Sequence, residues 1–135
     1  LEHKLSLCKV ADFGLAKSYA EAGMSGMTFT GEFGGSPAFM SPEQVLAFRD
    51  CGPPADVYSL AATIYYMLCG CYAKDFSQGR DPLLVVLQNS VVSLRQRDPS
   101  LPVPPAGVIG QALVRTESGG FTTATEFLRA LESVL

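Results

Sequence analysis

The chain has 135 residues, a net charge of −3, 47% hydrophobic residues and 17% charged residues, which is ordinary for one globular domain. Its mild acidity and the absence of any Lys/Arg run argue against nucleic-acid binding. The most apolar run, Leu60 to Cys69, has ten residues where about 20 are needed to cross a bilayer, so it predicts a core helix and no membrane span.

The cysteines indicate reduced thiols. Cys8, Cys51, Cys69 and Cys71 include no C-x-x-C pair, and His3 is the one histidine, so a zinc site lacks ligands at the usual spacing. Thiols in or near a core favour a cytoplasmic location, or the cytoplasmic side of a membrane-anchored parent. No charged segment followed by an apolar one opens the sequence, so no signal peptide is predicted.

The first predicted elements are a strand and a loop. Lys9-Val10-Ala11 predicts a short strand, ended by a glycine two residues after Asp12. Residues 18–38 are rich in Gly, Ser and Thr without an apolar period, which indicates a long loop. Loops of this length are usually functional in compact domains.

Helices are predicted from Ser41 onward. Ser41-Pro42-Glu43-Gln44 has a serine cap, a proline at the first position and an acid in the first turn. A second helix, about Ala55 to Leu68, is apolar nearly all round and is expected to be buried until it stops at Gly70. Asp81-Pro82 starts a third helix in the same cap-then-proline way.

The C-terminal part is predicted to hold two more helices. Four prolines between Pro99 and Pro105 indicate an irregular connector, and Gly107 to Arg115 follows as a helix. Thr123 and Glu126 form a capping box for the last helix. Its apolar positions recur at helical spacing: Ala124, Phe127, Leu128, Leu131 and Leu135.

Three motifs resemble those of the protein-kinase family. They are D-F-G-L-A-K at 12–17, G-S-P-A-F-M-S-P-E at 35–43 (similar to the family's G-T-x-x-Y-M-x-P-E) and D-V-Y-S-L at 56–60 (similar to D-V-W-S-L). A single D-F-G is weak evidence, but the order, the spacing and the helix context agree. The resemblance implies a mainly α fold, the C-terminal lobe of the α+β kinase fold without its N-terminal lobe and catalytic loop. Residues 12–43 would be the activation segment, and 44–135 the lobe helices.

The type resembled is a bacterial serine/threonine kinase. The Ser-Pro-Glu-Gln ending at 41–44 and the short helices after Asp81 carry that likeness. Tyrosine kinases have a Trp-containing stretch before their P-E, and this chain has no tryptophan. Serine or threonine in a protein substrate is therefore the expected phosphate acceptor, and ATP the donor.

The resemblance assigns roles to the D-F-G residues. Asp12 matches the family's metal ligand, which holds Mg²⁺ against the phosphates of ATP; alternatively it is an aspartate in a strand-end turn. Phe13 would pack between the lobes and set the active or inactive arrangement, and Gly14 would give the turn its backbone freedom. Thr28 and Thr30 lie where phosphorylation orders the segment, although they could also be two ordinary threonines in a polar loop.

The second and third motifs would form the substrate floor and its anchors. Ser36 matches the hydroxyl that touches the catalytic base, and the floor receives the substrate residue after the phosphate acceptor; the floor residues are Pro37, Ala38, Phe39 and Met40. Asp56 resembles the aspartate that anchors the catalytic loop, which is compatible with an acid interacting with a helix N-terminus. Glu43 is the glutamate of P-E, which the family pairs with an arginine before the last helix.

That arginine is missing at the expected place. The alignment of the stretch Arg115 to Phe121 puts Gly120 there, so Glu43 loses its usual partner. If Glu43 is buried, such a loss costs about 3–5 kcal/mol. Arg115 could reach across instead, or Glu43 could be hydrated enough to need no partner.

Other expected motifs are absent from these residues. There is no glycine-rich loop, no strand lysine and no H-R-D-x-x-x-x-N motif, and the one asparagine, Asn89, lies far downstream. The chain alone is therefore expected not to transfer phosphate.

Two functions stay open: part of a working serine/threonine kinase, or a degenerate kinase lobe that binds partners. The apolar residues at 83–87 and 91–92 could favour binding, or simply cover neighbouring helices, and self-association through an exposed face is possible.

Overall fold

The computed structural model describes residues 9–11, 37–47, 50–115 and 118–135. The chain divides into two units, Leu1–Gly34 and Gly35–Leu135. In the first unit the described residues Lys9, Val10 and Ala11 are exposed and form no regular element, so the strand predicted there is wrong. A strand is held by hydrogen bonds to a neighbouring strand, and the described ranges contain none.

Helices make up all the regular structure that the described residues form. A 3₁₀ helix spans Pro37–Phe39, followed by six α-helices. These are α1 (Pro42–Ala47), α2 (Pro53–Cys69), α3 (Pro82–Gln88), α4 (Leu94–Arg97), α5 (Val103–Ala112) and α6 (Ala124–Glu132). The mainly α fold expected from the sequence is confirmed.

The long helix α2 is the centre of the core in the second unit. It contacts the 3₁₀ helix, α4, α5 and α6. Its buried side is formed by Ala55, Val57, Tyr58, Ala61, Ala62 and Tyr65. Ile109 of α5 and Phe127 of α6 pack into the same buried cluster, so the hydrophobic effect fixes both C-terminal helices on α2.

One side of α2 is open, contrary to the prediction that the helix is buried all round. Leu60 and Leu68 are exposed, and 75% of the surface of Met67 is accessible. A helix that is apolar on every side is buried only when partners surround it. The described helices that contact α2 leave this side uncovered.

Helices α1, α2 and α3 begin or end at capping residues that the sequence predicts. Ser41 Oγ accepts a hydrogen bond from the N–H of Gln44 at 3.2 Å, and Gln44 Oε1 accepts one from the N–H of Ser41 at 2.8 Å. This reciprocal pair is a capping box. At the far end of α2, Gly70 takes a left-handed conformation with φ 68° and donates its N–H to the Tyr66 carbonyl. Asp81 accepts from the N–H of Leu83 at 2.8 Å, as its cap position predicts.

The two last helices differ from prediction in detail. Pro104 and Pro105 lie in the first turn of α5, which tolerates proline because its N–H groups have no partner within the helix. The helix therefore starts earlier than expected and ends before Arg115. For α6, Thr123 Oγ1 accepts from the N–H of Glu126 at 3.2 Å, as predicted.

The rest of the predicted pattern of α6 holds in part. Glu126 Oε2 accepts from both the N–H and the hydroxyl of Thr122, one residue before the predicted partner. Phe127 is buried and Leu131 partly buried, while Leu128 is exposed. None of the helices in the described ranges is long and apolar enough to span a membrane.

Candidate functional site

The predicted substrate floor is a single compact turn. The N–H of Met40 donates to the Pro37 carbonyl at 3.1 Å and closes the 3₁₀ helix. Met40 is buried, and Pro37, Ala38 and Phe39 are half-buried. The four predicted floor residues are thus held together immediately before α1. Ser36, whose hydroxyl is predicted to touch the catalytic base, lies outside the described residues.

Aromatic rings flank this turn. The ring of Phe39 meets those of Tyr66 and Tyr72 edge-on, with centroid separations of 6.0 and 5.7 Å. Tyr66 and Tyr72 stack on each other at 5.0 Å, and Phe76 meets Tyr72 edge-on at 5.7 Å. These four residues are called the aromatic cluster below. Sequence analysis missed it because its members come from three separate segments; the aromatic residues on both sides of Gly70 were the available signal.

The turn is fixed to α2 through α1. Ser41 is fully buried and forms the capping box with Gln44. The hydroxyl of Ser59 on α2 donates to Gln44 Oε1 at 3.5 Å, the same oxygen that receives the N–H of Ser41. One glutamine side chain therefore connects the end of the floor, the start of α1 and the central helix.

Glu43 has a cationic partner. Arg115 Nε donates to Glu43 Oε1 at 3.0 Å, across 72 positions of sequence. The side chains are 35% exposed for Glu43 and 45% exposed for Arg115. Of the two alternatives left open by the sequence, the first applies, because Arg115 reaches across to Glu43. Both side chains are partly exposed, so burial adds little to the cost of the pair.

Gly120 is a position where the backbone excludes any side chain. A Cβ atom placed on it would lie 2.2 Å from the carbonyl oxygen of Val114. The N–H of Gly120 donates to the Arg115 carbonyl at 3.1 Å, which closes the same bend. The local chain path thus requires glycine here, and the cation that pairs with Glu43 is Arg115.

A buried lysine, Lys74, lies within the electrostatic influence of Glu43. Lys74 is buried and its Nζ donates to the carbonyl of Val86, near the end of α3. Burial lowers the pKa of Lys74, and the negative charge of Glu43 opposes that shift. Burial also raises the pKa of Tyr58 to about 12, with a smaller contribution from Glu43. No pattern in the sequence marked Lys74, because it lies in an irregular segment.

Asp56 lies in the first turn of α2 and is exposed. Within the described part of the chain its carboxylate forms no hydrogen bond, and its position suits interaction with the positive end of the helix dipole. Its predicted role as an anchor of the catalytic loop stays a prediction.

The remaining predicted site residues lie outside the described residues. They are Asp12, Phe13, Gly14, Thr28, Thr30 and Ser36. Among the described residues, no three His, Cys, Asp or Glu side chains are grouped so as to hold a metal ion. The Cys69 thiol donates to the Tyr65 carbonyl at 3.3 Å, as expected for a reduced cysteine.

Comparison with known proteins gives consistent matches. The family model described as protein kinase domain matches residues 1–106. Serine/threonine-protein kinase PknK of Mycobacterium bovis is 33% identical over 129 residues, which cover 93% of this chain and 11% of that protein. Serine/threonine-protein kinases drp72 of Corynebacterium efficiens is 30% identical over 128 residues, 95% of this chain and 23% of that protein.

A third relative shows that the likeness extends beyond bacteria. The probable serine/threonine-protein kinase KIN1 homolog of Encephalitozoon cuniculi is 40% identical over 67 residues, half of this chain and 11% of that protein. The chain therefore spans between 11% and 23% of the length of these three relatives.

Proposed function

The chain belongs to the protein kinase family, of the bacterial serine/threonine type, and on that premise we propose that it forms the substrate-binding helical lobe of an enzyme that transfers phosphate from Mg-ATP to serine or threonine in a protein. The observation that carries the proposal is the closed turn Pro37–Met40, fixed to α2 through Gln44 and Ser59. This turn supports the proposal because it holds residues 37–40, the predicted floor, together as one unit. Relatives named serine/threonine kinases match more than nine-tenths of the chain.

The chemical roles rest on the motifs. Asp12 would hold Mg²⁺, whose charge offsets that of the ATP phosphates, while Ser36 and the floor would position the acceptor hydroxyl. Phosphorylation of Thr28 or Thr30 would order the segment. The 135 residues contain neither the strand lysine nor the H-R-D aspartate, so we propose that they transfer no phosphate by themselves. A cytoplasmic location follows from the need for ATP.

A second candidate function is binding without chemistry. The open side of α2, where Leu60, Met67 and Leu68 are exposed, favours it and would serve self-association. The other proposed binding surface is weaker: within 83–87 and 91–92 only Leu84 is exposed, so these residues mainly cover their neighbours. Sedimentation of the 135-residue chain over a concentration series tests self-association, and a monomer throughout would contradict it.

The test of the proposed function uses the full-length protein. Its melting temperature is measured with and without Mg-ATP, and phosphate transfer is measured to peptides that differ only in Ser, Thr or Tyr at the acceptor. The proposal predicts a raised melting temperature and transfer to Ser or Thr. No thermal shift together with no transfer would leave only the binding function.

A further inference from the structure

A groove between α4 and α5 has a volume of about 320 Å³ and is open to solvent on one side. That volume is at the lower end of the range found for sites that hold small molecules. The described residues that line the groove come from α4, from α5 and from the segment just before α4. None of them belongs to the floor or to the aromatic cluster.

One face of α5 forms a wall of the groove. Val103, Ala106, Gly107 and Gly110 line it at positions i, i+3, i+4 and i+7, which places them on one side of the helix. A Cβ atom at Gly107 or at Gly110 would meet nothing within 4 Å, and neither glycine has a positive φ. Glycine weakens a helix relative to alanine. What these two glycines contribute is therefore open space along the groove.

Most of the remaining lining is apolar. Leu94 and Ala106 are buried, while Val91 is half-buried and Val103 is 60% exposed. A ligand in the groove would cover the exposed part of Val103 and remove apolar surface from water. Water alone finds few polar partners on such walls. The lining thus favours a ligand with an apolar body.

Arg95 carries the one charge among the described residues that line the groove. Its Nη2 donates to the Pro99 carbonyl at 3.0 Å, which is a neutral acceptor. Both ion pairs within the described ranges use other arginines. A guanidinium has five N–H groups, so several stay available for a carboxylate. Ser93, which is exposed and also in the lining, adds a hydroxyl that can donate to the same group.

We infer that this groove binds a small carboxylate with an apolar body. The carboxylate pairs with Arg95, and the apolar part lies between Leu94 and the glycine face of α5. Burial of apolar surface supplies most of the affinity, and the cation selects an anion over a neutral molecule of the same shape. A ligand amine would lie beside a like charge and is disfavoured. The inference does not depend on the proposed function.

The test measures binding of phenylacetate to the full-length protein by ligand-observed NMR titration. Phenylacetamide has the same shape without the charge, and phenethylamine has a similar shape with a positive charge. We expect phenylacetate to bind with a Kd of about 1 mM, the size expected for a ligand of about ten non-hydrogen atoms. Phenylacetamide should bind about fivefold more weakly, the effect of one exposed ion pair, and phenethylamine more weakly still.

Three variants assign binding to the groove. Gly110→Leu fills the open space beside α5 and should weaken phenylacetate binding by more than about tenfold. Arg95→Met removes the cation and should weaken phenylacetate about fivefold while leaving phenylacetamide unchanged. Arg129→Met removes the same charge from an exposed position on α6, outside the groove, and should change neither. The comparison of ligands on the unaltered protein needs no variant to fold.

Each outcome decides the inference. Equal binding of the three ligands overturns it, and so does phenylacetate binding that Arg95→Met or a folded Gly110→Leu variant leaves unchanged. No binding of phenylacetate at about 10 mM, ten times the expected Kd, overturns it as well. Binding that Arg95→Met weakens and Arg129→Met does not supports it. Phosphate transfer enters none of these results, so the proposed function stands or falls separately.

Discussion

At Gly120 any side chain would meet the carbonyl oxygen of Val114, since a Cβ atom would lie 2.2 Å from it. Restoring the family's arginine as Gly120→Arg is therefore expected to weaken the fold and not to repair it. Gly120→Ala already requires backbone movement and should lower the free energy of unfolding by about 1–3 kcal/mol. Urea denaturation measures this.

Gly107 provides the matched control, because a Cβ atom there meets nothing within 4 Å and the residue lies inside α5. Gly107→Ala should stabilise by about 0.5–1 kcal/mol through helix propensity. If Gly120→Ala proves as stable as Gly107→Ala, the close approach of Val114 is wrong.

The pair formed by Glu43 and Arg115 should contribute little on its own. Both side chains are partly exposed, and such pairs typically couple by about 0.2–1 kcal/mol. A double-mutant cycle with Glu43→Gln and Arg115→Met, measured by urea denaturation, should give a coupling energy in that range. A coupling near the 3–5 kcal/mol of a buried pair would contradict the hydrated geometry.

Lys74 should make stability depend on alkaline pH. Because its pKa is lowered in the folded state, the unfolded chain binds the proton more tightly, and stability rises with pH until the usual lysine value of 10.5 is reached. The free energy of unfolding should thus rise more between about pH 8 and about pH 10 in the unaltered chain than in Lys74→Met. Tyr58 acts in the opposite direction above pH 10 but is present in both proteins. If the free energy of unfolding changes with pH in the same way in both proteins, burial does not disfavour the charged form of Lys74.

At the scale of elements, the start of α6 depends on one hydroxyl. Thr123 Oγ1 caps the N–H of Glu126, so Thr123→Ala should cost about 1 kcal/mol in the free energy of unfolding. Thr125→Ala, two residues further along the same helix and exposed, should be neutral or slightly stabilising. Equal effects of the two substitutions would mean that the cap does not hold the helix end.

Local signals predicted helix starts well because capping is decided by neighbouring residues. Ser41 and Asp81 cap α1 and α3 as expected. Prolines that end one helix can also begin another. For this reason the predicted start of α5, Gly107, is too late, since Pro104 and Pro105 lie inside the first turn of the helix. Burial was predicted less well: Met67 on α2 is apolar yet exposed, and periodicity does not say which sides of a helix find partners.

At the scale of the whole molecule, the sequence predicts a floor at residues 37–40, which form one closed turn in the structure, but it does not predict what surrounds that turn. Residues 37–40 are contiguous, so a motif could identify them. The aromatic cluster joins Phe39 to Tyr66 and Tyr72, and the partner of Glu43 is 72 positions away; both depend on how the helices pack. Likewise, a side chain is excluded at Gly120 because of where the Val114 carbonyl lies, and no sequence motif indicates that position.

The central claim is that this chain is the helical lobe of a working serine/threonine kinase, with Asp12 as its metal ligand. The most direct measurement compares phosphate transfer from Mg-ATP to a serine peptide by the full-length protein, its Asp12→Asn variant and, as control, Asp50→Asn at an exposed position outside the proposed site. The account predicts transfer by the unaltered protein and by Asp50→Asn, and a loss of about a hundredfold or more in Asp12→Asn. Transfer that survives Asp12→Asn, or none by the unaltered protein, would contradict it.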